Sequence, residues 1–339
     1  MELYFYLNII FLPLGILINL IQMYIFGSKS LNSKTRIGFM HSLLSFFNLL
    51  QLILALISQI ILPLYAGINI YELTNSSCVL VNFAQQMSYV LPSFQQVLIS
   101  FQFYLSIKHP HSYLAYQKSK AKFFLTTMVL ILFAVASNLE YFFYDLKAPL
   151  QSSSSSLSSN ITTSESYLNE VNCNASFNVL ISSQSLALIL RYILPFFLLN
   201  ILNFLIIYQV CKNQTKLNRS LKTYKDFFLS ILIINFGIFL FYLPWSTAII
   251  IELIKKANLN DIPVFNSSVD IFYKIGYSIT FLVCVLPFFV YLKFNRLFRK
   301  EFFGIFSIKK RLTDSKVIVS TISLSKSVSS GSKSLSKPN

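Results

Sequence analysis

A helix needs about 20 apolar residues to cross the hydrocarbon core of a bilayer. This chain has seven runs that meet the requirement, roughly 4–26, 38–62, 79–107, 122–144, 184–210, 227–251 and 270–294. Few folds are open to such a chain. Lipid offers no partner to an exposed N–H or C=O, so a crossing segment satisfies its backbone inside a helix or a closed barrel. No strand-type alternation competes over these lengths. Composition agrees, with 12% of residues charged against about 25% in soluble domains. The predicted fold class is therefore an all-α membrane protein, a seven-transmembrane helix bundle. The run 4–26 is too long for the apolar region of a signal peptide and has no basic flank before it, so it is expected to remain as the first span.

The loops set the orientation. The formal net charge of +16 does not point to nucleic acid, because the cations fall between the apolar runs. Lys29, Lys34 and Arg36 occupy one loop, and Lys108, Lys118 and Lys120 another. Lys212, Lys216, Arg219, Lys222 and Lys225 occupy a third, and the tail beyond the last run is strongly basic. The alternate loops carry Glu72, then Asp145, Lys147, Glu165 and Glu170, then Glu252, Lys255, Lys256 and Asp261. Basic loops face the cytosol. All four basic segments share one side only if there are seven spans, with the N-terminus outside and the tail inside. The glycosylation triplets at Asn75, Asn160, Asn174 and Asn266 then lie in outside loops, and those at Asn213 and Asn218 lie inside, where they stay unmodified.

Of the four cysteines, Cys78 and Cys173 fall in outside loops or at a span mouth, where the compartment is oxidising. A disulfide between them would tie the top of the third helix to the 145–183 loop. Cys211 and Cys284 read as small apolar filler. The three histidines, His41, His109 and His111, form no ligand-spaced cluster.

Within this frame, short motifs recur in a fixed order. Gly15 and Asn19 stand in the first run, Leu44 and Asn48 in the second, and Cys78 opens the third. Gln102, Phe103 and Tyr104 end the third, before Lys108-His109-Pro110. Leu194 and Pro195 lie in the fifth run, Phe241-Tyr242-Leu243-Pro244 in the sixth, and Pro287 to Tyr291 in the seventh. In order and spacing, residues 4–306 resemble the rhodopsin-like (class A) G-protein-coupled receptors, peptide-receptor-like. The resemblance implies capture of an extracellular ligand, passage of a conformational change to a heterotrimeric G protein, and residence in the plasma membrane. It implies no cofactor.

The departures from the family pattern are specific. Gln102, Phe103 and Tyr104 replace the acid-arginine-tyrosine triad. Asn48 replaces the sodium-binding aspartate, and Tyr242 replaces the tryptophan of the sixth-helix switch. Pro287 falls one position early in the segment that ends at Tyr291. Phe103 can neither be held by an acidic neighbour nor contact a G protein as that arginine does. Three readings stay open: coupling through Tyr104, Lys108 and the basic third loop; binding without G-protein signalling; and a degenerate copy.

The interior polar groups are neutral amides: Asn19, Asn48, Gln51, Gln85, Gln86, Gln95, Gln96, Asn200, Asn203 and Asn235. They serve as interhelical glue or line a ligand cavity, and Asn19 and Asn48 are expected to pair. Gln85 and Gln86 lie about two turns below Cys78, at the depth that faces ligand in the resembled family. Gln85 in place of an aspartate argues against an amine. Glu140, Arg191, Glu252, Asp270 and Lys274 are expected to ring the outer mouth. A charged ring over an amide-lined aromatic cavity suits a short peptide, as in a neuropeptide receptor, or a small molecule. The expected ligand contacts are Gln85, Gln86, Arg191, Tyr242, Glu252 and Lys274. Pro92, Pro195, Pro244 and Pro287 bend their helices, as static kinks or as pivots.

Residues 296–306 put Leu297, Phe298, Phe302, Ile305 and Phe306 on one side, an amphipathic helix on the inner leaflet. The Ser/Lys-rich tail 307–339 is expected to be disordered, either merely solvating or phosphorylated to recruit arrestin. The 151–164 stretch is a low-complexity insert. A transporter or channel is the rival function, but no internal repeat supports it. No Ser/His/Asp, dicarboxylate or metal constellation suggests an enzyme.

Overall fold

The computed structural model describes residues 3–28, 37–67, 69–71, 73–109, 119–147, 172–174, 177–213, 221–258 and 263–305. The helices are α1 (Leu3–Gly27), α2 (Ile37–Leu56), α3 (Asn75–Lys108), α4 (Lys120–Ala136) and α5 (Phe177–Leu188). They continue with α6 (Leu194–Asn213), α7 (Leu221–Asn258), α8 (Pro263–Thr280), α9 (Leu282–Phe294) and α10, residues 296–305. Two three-residue strands, β1 (Asp145–Lys147) and β2 (Asn172–Asn174), pair antiparallel.

Among the described residues, six helical segments are long and apolar enough to cross a membrane: Tyr4–Gly27, Gly38–Ala66, Phe124–Phe143, Ile181–Lys212, Phe228–Ile251 and Ile271–Phe294. That is the character of a multi-pass membrane protein, and the six coincide with six of the seven expected runs. The remaining run, 79–107, lies within α3, which is longer but more polar. Its polarity has a structural cause. α3 packs against α2, α4 and α6, so protein rather than lipid meets it, and Gln85, Ser88, Gln95, Gln96, Ser100 and Gln102 are all buried on it. It begins at a reciprocal cap: Ser77 N–H donates to Thr74 Oγ1 at 3.0 Å, and Thr74 N–H to Ser77 Oγ at 2.9 Å.

Two helices widen beside a proline. Pro195 has no N–H for the carbonyl of Arg191, and the turn opens into a π-helical segment, Ile189–Ile193, where Leu194 N–H bonds Ile189 O. Ile57–Ala66, which contains Pro63, is likewise π-helical and continues α2. It ends at Gly67, whose φ of 61° suits a residue without Cβ. Widened turns of this kind often mark functional positions.

The helices close on themselves, α1 meeting α2, α8 and α9, and α7 meeting α5, α6, α8 and α9. The α7–α8 seam is tight at Gly276, where a Cβ would sit 3.1 Å from Trp245 N and 3.2 Å from the Pro244 carbonyl carbon. Backbone cannot step aside as a side chain can. Gly276→Val is expected to lower stability by about 1–3 kcal/mol, read as a drop in the thermal unfolding midpoint of the purified protein. An unchanged midpoint would contradict this seam.

Several expected positions shift. α8 starts at Pro263, with proline at its first residue, so Asn266 stands in helix rather than in a loop. Asn75 is the first residue of α3, and Asn174 is in β2. Asn160, the 151–164 insert, residues 214–220 of the 211–226 loop including Asn218, and the tail 307–339 lie outside the described residues. α10 starts where the Asn295 side chain caps it, accepting from Phe298 N–H at 3.1 Å. Phe298 is fully buried on Phe26, Phe288 and Tyr291, while Leu297 and Phe303 are exposed.

Candidate functional site

At one end of α3, Cys78 and Cys173 form a disulfide with Cα atoms 5.6 Å apart. Cys173 sits in β2 opposite Leu146 of β1. Asn82 braces the junction, its amide donating to Cys78 O at 2.8 Å and to Cys173 Sγ at 3.2 Å. Cys284 is buried and Cys211 exposed, both free.

Two turns further along α3, Gln85 belongs to a chain of amides and hydroxyls rather than to an open cavity. Asn8 donates to Gln59 Oε1 at 3.2 Å, Gln59 to Tyr277 Oη at 2.7 Å, and Gln85 to the same hydroxyl at 2.9 Å. Tyr71 donates to Gln85 Oε1, and the hydroxyls of Tyr89 and Tyr277 bond each other. Burial pushes the Tyr71 hydroxyl above its ordinary range. Tyr277 thus ties α8 to α3 and to the widened end of α2. Beside it, Trp245 is an aromatic hub, its ring 5.2 Å from Tyr277, 5.3 Å from Tyr192 and 5.9 Å from Tyr89.

The sequence points to a ring of charge at the mouth, and the structure overturns this for Arg191. The widened turn Ile189–Ile193 holds Arg191 inside the protein, 3% exposed. One guanidinium nitrogen donates to Tyr141 Oη at 3.4 Å, and the group lies 5.4 Å over the Tyr89 ring. Its Nε has no hydrogen-bond partner. Lys274 sits elsewhere, its Nζ 5.3 Å over the Tyr4 ring of α1. The side chains of Glu252 and Asp270 lie outside the described residues. Glu140 is partly buried in the short helical turn after α4.

Arg191 lines a cleft of about 200 Å³ between the α5–α6 and α7 segments. Tyr192, Pro195, Ser246 and Tyr242 share the lining. Its mouth carries Ile193, Phe197, Leu243 and Ile250, each 39–58% exposed on the outer surface of the helices. Of the six expected ligand contacts, Arg191 and Tyr242 come together here. Gln85 and Lys274 do not, and Gln86, partly buried with Oε1 unpartnered, lines no part of the cleft.

Below the cleft the amides act as glue between three helices. Gln96 of α3 donates to Asn235 Oδ1 of α7 at 2.9 Å. Asn235 donates to Asn203 Oδ1 of α6 at 2.7 Å and to Ser100 Oγ at 3.1 Å. Asn48 lines a smaller cavity of about 10 Å³ with Ser93, Gln96, Tyr242 and Pro287. That is the volume of one water. The expected Asn19–Asn48 pair is not made. Asn19 instead donates to Gly15 O at 2.8 Å and to Cys284 O at 3.1 Å. Both acceptors are backbone carbonyls, and the second ties α1 to α9.

At the far end of the bundle, Phe103 is 2% exposed and packs against Ile206 of α6 and Ile231 of α7. Tyr104 borders this cluster with Ile107, Val210 and Phe228. Gln102 is buried. Tyr291 is also buried, its hydroxyl 3.1 Å from His41 Nδ1, with Phe26 at 5.3 Å and Phe298 at 5.8 Å between ring centres. Pro244 and Pro287 lie inside α7 and α9, each removing one backbone hydrogen bond from its helix.

Sequence reasoning misses Tyr277, Tyr89, Gln59 and Tyr71. The signal available was chemical: a tyrosine hydroxyl within an apolar run needs a partner. No group of three or more His, Cys, Asp or Glu able to hold a metal occurs among the described residues. Comparisons with family models and with curated proteins return no match for this chain.

Proposed function

We propose that the chain is a seven-span receptor of the rhodopsin-like kind, N-terminus outside, that passes a ligand-driven movement of α7 to a cytosolic G protein. The observation that carries this reading is the Cys78–Cys173 bond. A disulfide forms on one side of a membrane, so an even number of crossings lies between its cysteines. The Phe124–Phe143 segment has the character of one crossing. α3 then supplies the other, as the seventh span, its polar face turned inward. With seven spans, the basic segments 29–36, 108–122 and 212–225 share one side, which their positive charge makes the cytosolic one.

The mechanism follows from what meets α7. It lacks one backbone hydrogen bond at Pro244, holds Trp245 and Tyr242 beside the cleft, and bonds α3 and α6 through Asn235. A ligand that packs differently against Tyr242 in two arrangements of α7 shifts their balance by that difference and no more. With Phe103 as an apolar seam, coupling runs through the basic cytosolic surface rather than through a conserved-type arginine. A small, mostly apolar ligand fits the cleft better than a short peptide, since Arg191 is buried and Lys274 sits over Tyr4 rather than at the cleft. The plasma membrane is the compartment in which such a receptor works.

The test is recruitment of a G protein to the full chain in cells, over a panel of small amphiphiles and short peptides. Saturable recruitment supports the reading. A ligand-dependent current or solute flux without recruitment would favour a channel or transporter.

A further inference from the structure

We propose that the α6–α7 cleft takes an amphiphile with one carboxylate and a medium-length apolar chain, its head on Arg191 and its entry from the lipid side. This deepens the receptor reading and rests on it only for the consequence of binding. A buried guanidinium in an apolar setting is costly unless paired. Among the described residues no carboxylate lies within ion-pair distance of Arg191, and the half-buried Glu140 acts on it only through space. Tyr141 accepts one long hydrogen bond, Tyr89 offers a ring face, and Nε is left without an acceptor. Tyrosine neighbours are neutral and do not balance the charge.

The rest of the cleft accounts for the tail. Beyond Arg191 the lining is aliphatic and aromatic apart from Asn235 and Ser246, and Ile193, Phe197, Leu243 and Ile250 flank the mouth. Those side chains are exposed on a segment apolar enough to face lipid, so a membrane-dissolved molecule reaches the cleft by sliding sideways. The volume, about 200 Å³, admits one chain of moderate length. A monocarboxylate supplies both the countercharge and two acceptors for the guanidinium fork.

The experiment uses the full chain purified into phosphatidylcholine nanodiscs, with radiolabelled dodecanoate as probe and dodecan-1-ol as its uncharged competitor. Saturable dodecanoate binding above that of empty nanodiscs is expected, with dodecan-1-ol displacing it at least about tenfold less well. Arg191→Gln is expected to weaken dodecanoate about tenfold or more and to erase the preference for it over the alcohol. Should Arg191→Gln fail to fold, Ser246→Phe decides. It keeps the guanidinium, removes only a bond to its own helix at Tyr242 O, and fills the cleft, so saturable binding is lost. No saturable binding by the natural chain, or equal binding of acid and alcohol, overturns the proposal. So does full binding by Ser246→Phe. Dodecanoate binding without G-protein recruitment would sink the receptor reading alone, and recruitment by a peptide without dodecanoate binding would sink this inference alone.

Discussion

Phe103→Arg is expected to destabilise the protein by about 3 kcal/mol or more, although it installs the residue that the resembled family carries there. Phe103 lies between Ile206 and Ile231, among Tyr104, Ile107, Val210 and Phe228, and is 2% exposed. Its neighbour Gln102 is buried and uncharged. A guanidinium at this position meets no carboxylate on its own turn and replaces an aromatic ring that joins α3, α6 and α7. The conservative Phe103→Leu keeps the seam apolar and should cost under about 1.5 kcal/mol. The measurement is the thermal unfolding midpoint of the three purified proteins, read beside their surface expression. An Arg variant as stable as the natural chain would mean that the seam opens to water and that Phe103 is not its plug.

Cys173→Ser is expected to cost about 2–5 kcal/mol. The bond spans 95 residues, so its loss frees a long stretch of the unfolded chain and detaches the β1–β2 hairpin from α3. Asn82 loses the sulfur it donates to as well. Cys211→Ser, at an exposed free thiol, should leave stability unchanged. Titration of the denatured, unreduced protein separates the cases, since the natural chain exposes only Cys211 and Cys284 as thiols while Cys173→Ser adds Cys78. Four thiols in the natural chain and three in the variant would remove the disulfide from the account.

The helical architecture is legible in the sequence because lipid imposes it. A crossing helix must be apolar wherever it meets lipid, and that pattern survives without knowledge of any contact. Cys78 and Cys173 are legible for a similar reason, since topology confines them to one compartment. The interior is much less so. Gln85, Gln59 and Tyr277 meet across 192 and 218 residues of sequence, and no spacing encodes that. Arg191 counts from the end of its run as a mouth residue, yet the widened turn that Pro195 imposes buries it. Asn19 has a plausible partner in Asn48, but its amide goes instead to the backbone carbonyls of Gly15 and Cys284. Pro92, Pro195, Pro244 and Pro287 are easy to find in the sequence. What each brings together depends on the neighbouring helix.

The spanning pattern of α3 decides the account, and glycosylation reads it directly. The full chain is expressed in cells, and the occupancy of each acceptor triplet is determined by mass spectrometry after deglycosylation. With seven spans, Asn160 and Asn174 face outward and become occupied, while Asn213 and Asn218 face the cytosol and stay bare. If α3 does not cross, every later side is reversed: Asn218 becomes occupied and Asn160 does not. Occupancy at Asn160 with none at Asn218 is the predicted result, and the reverse pattern would contradict it.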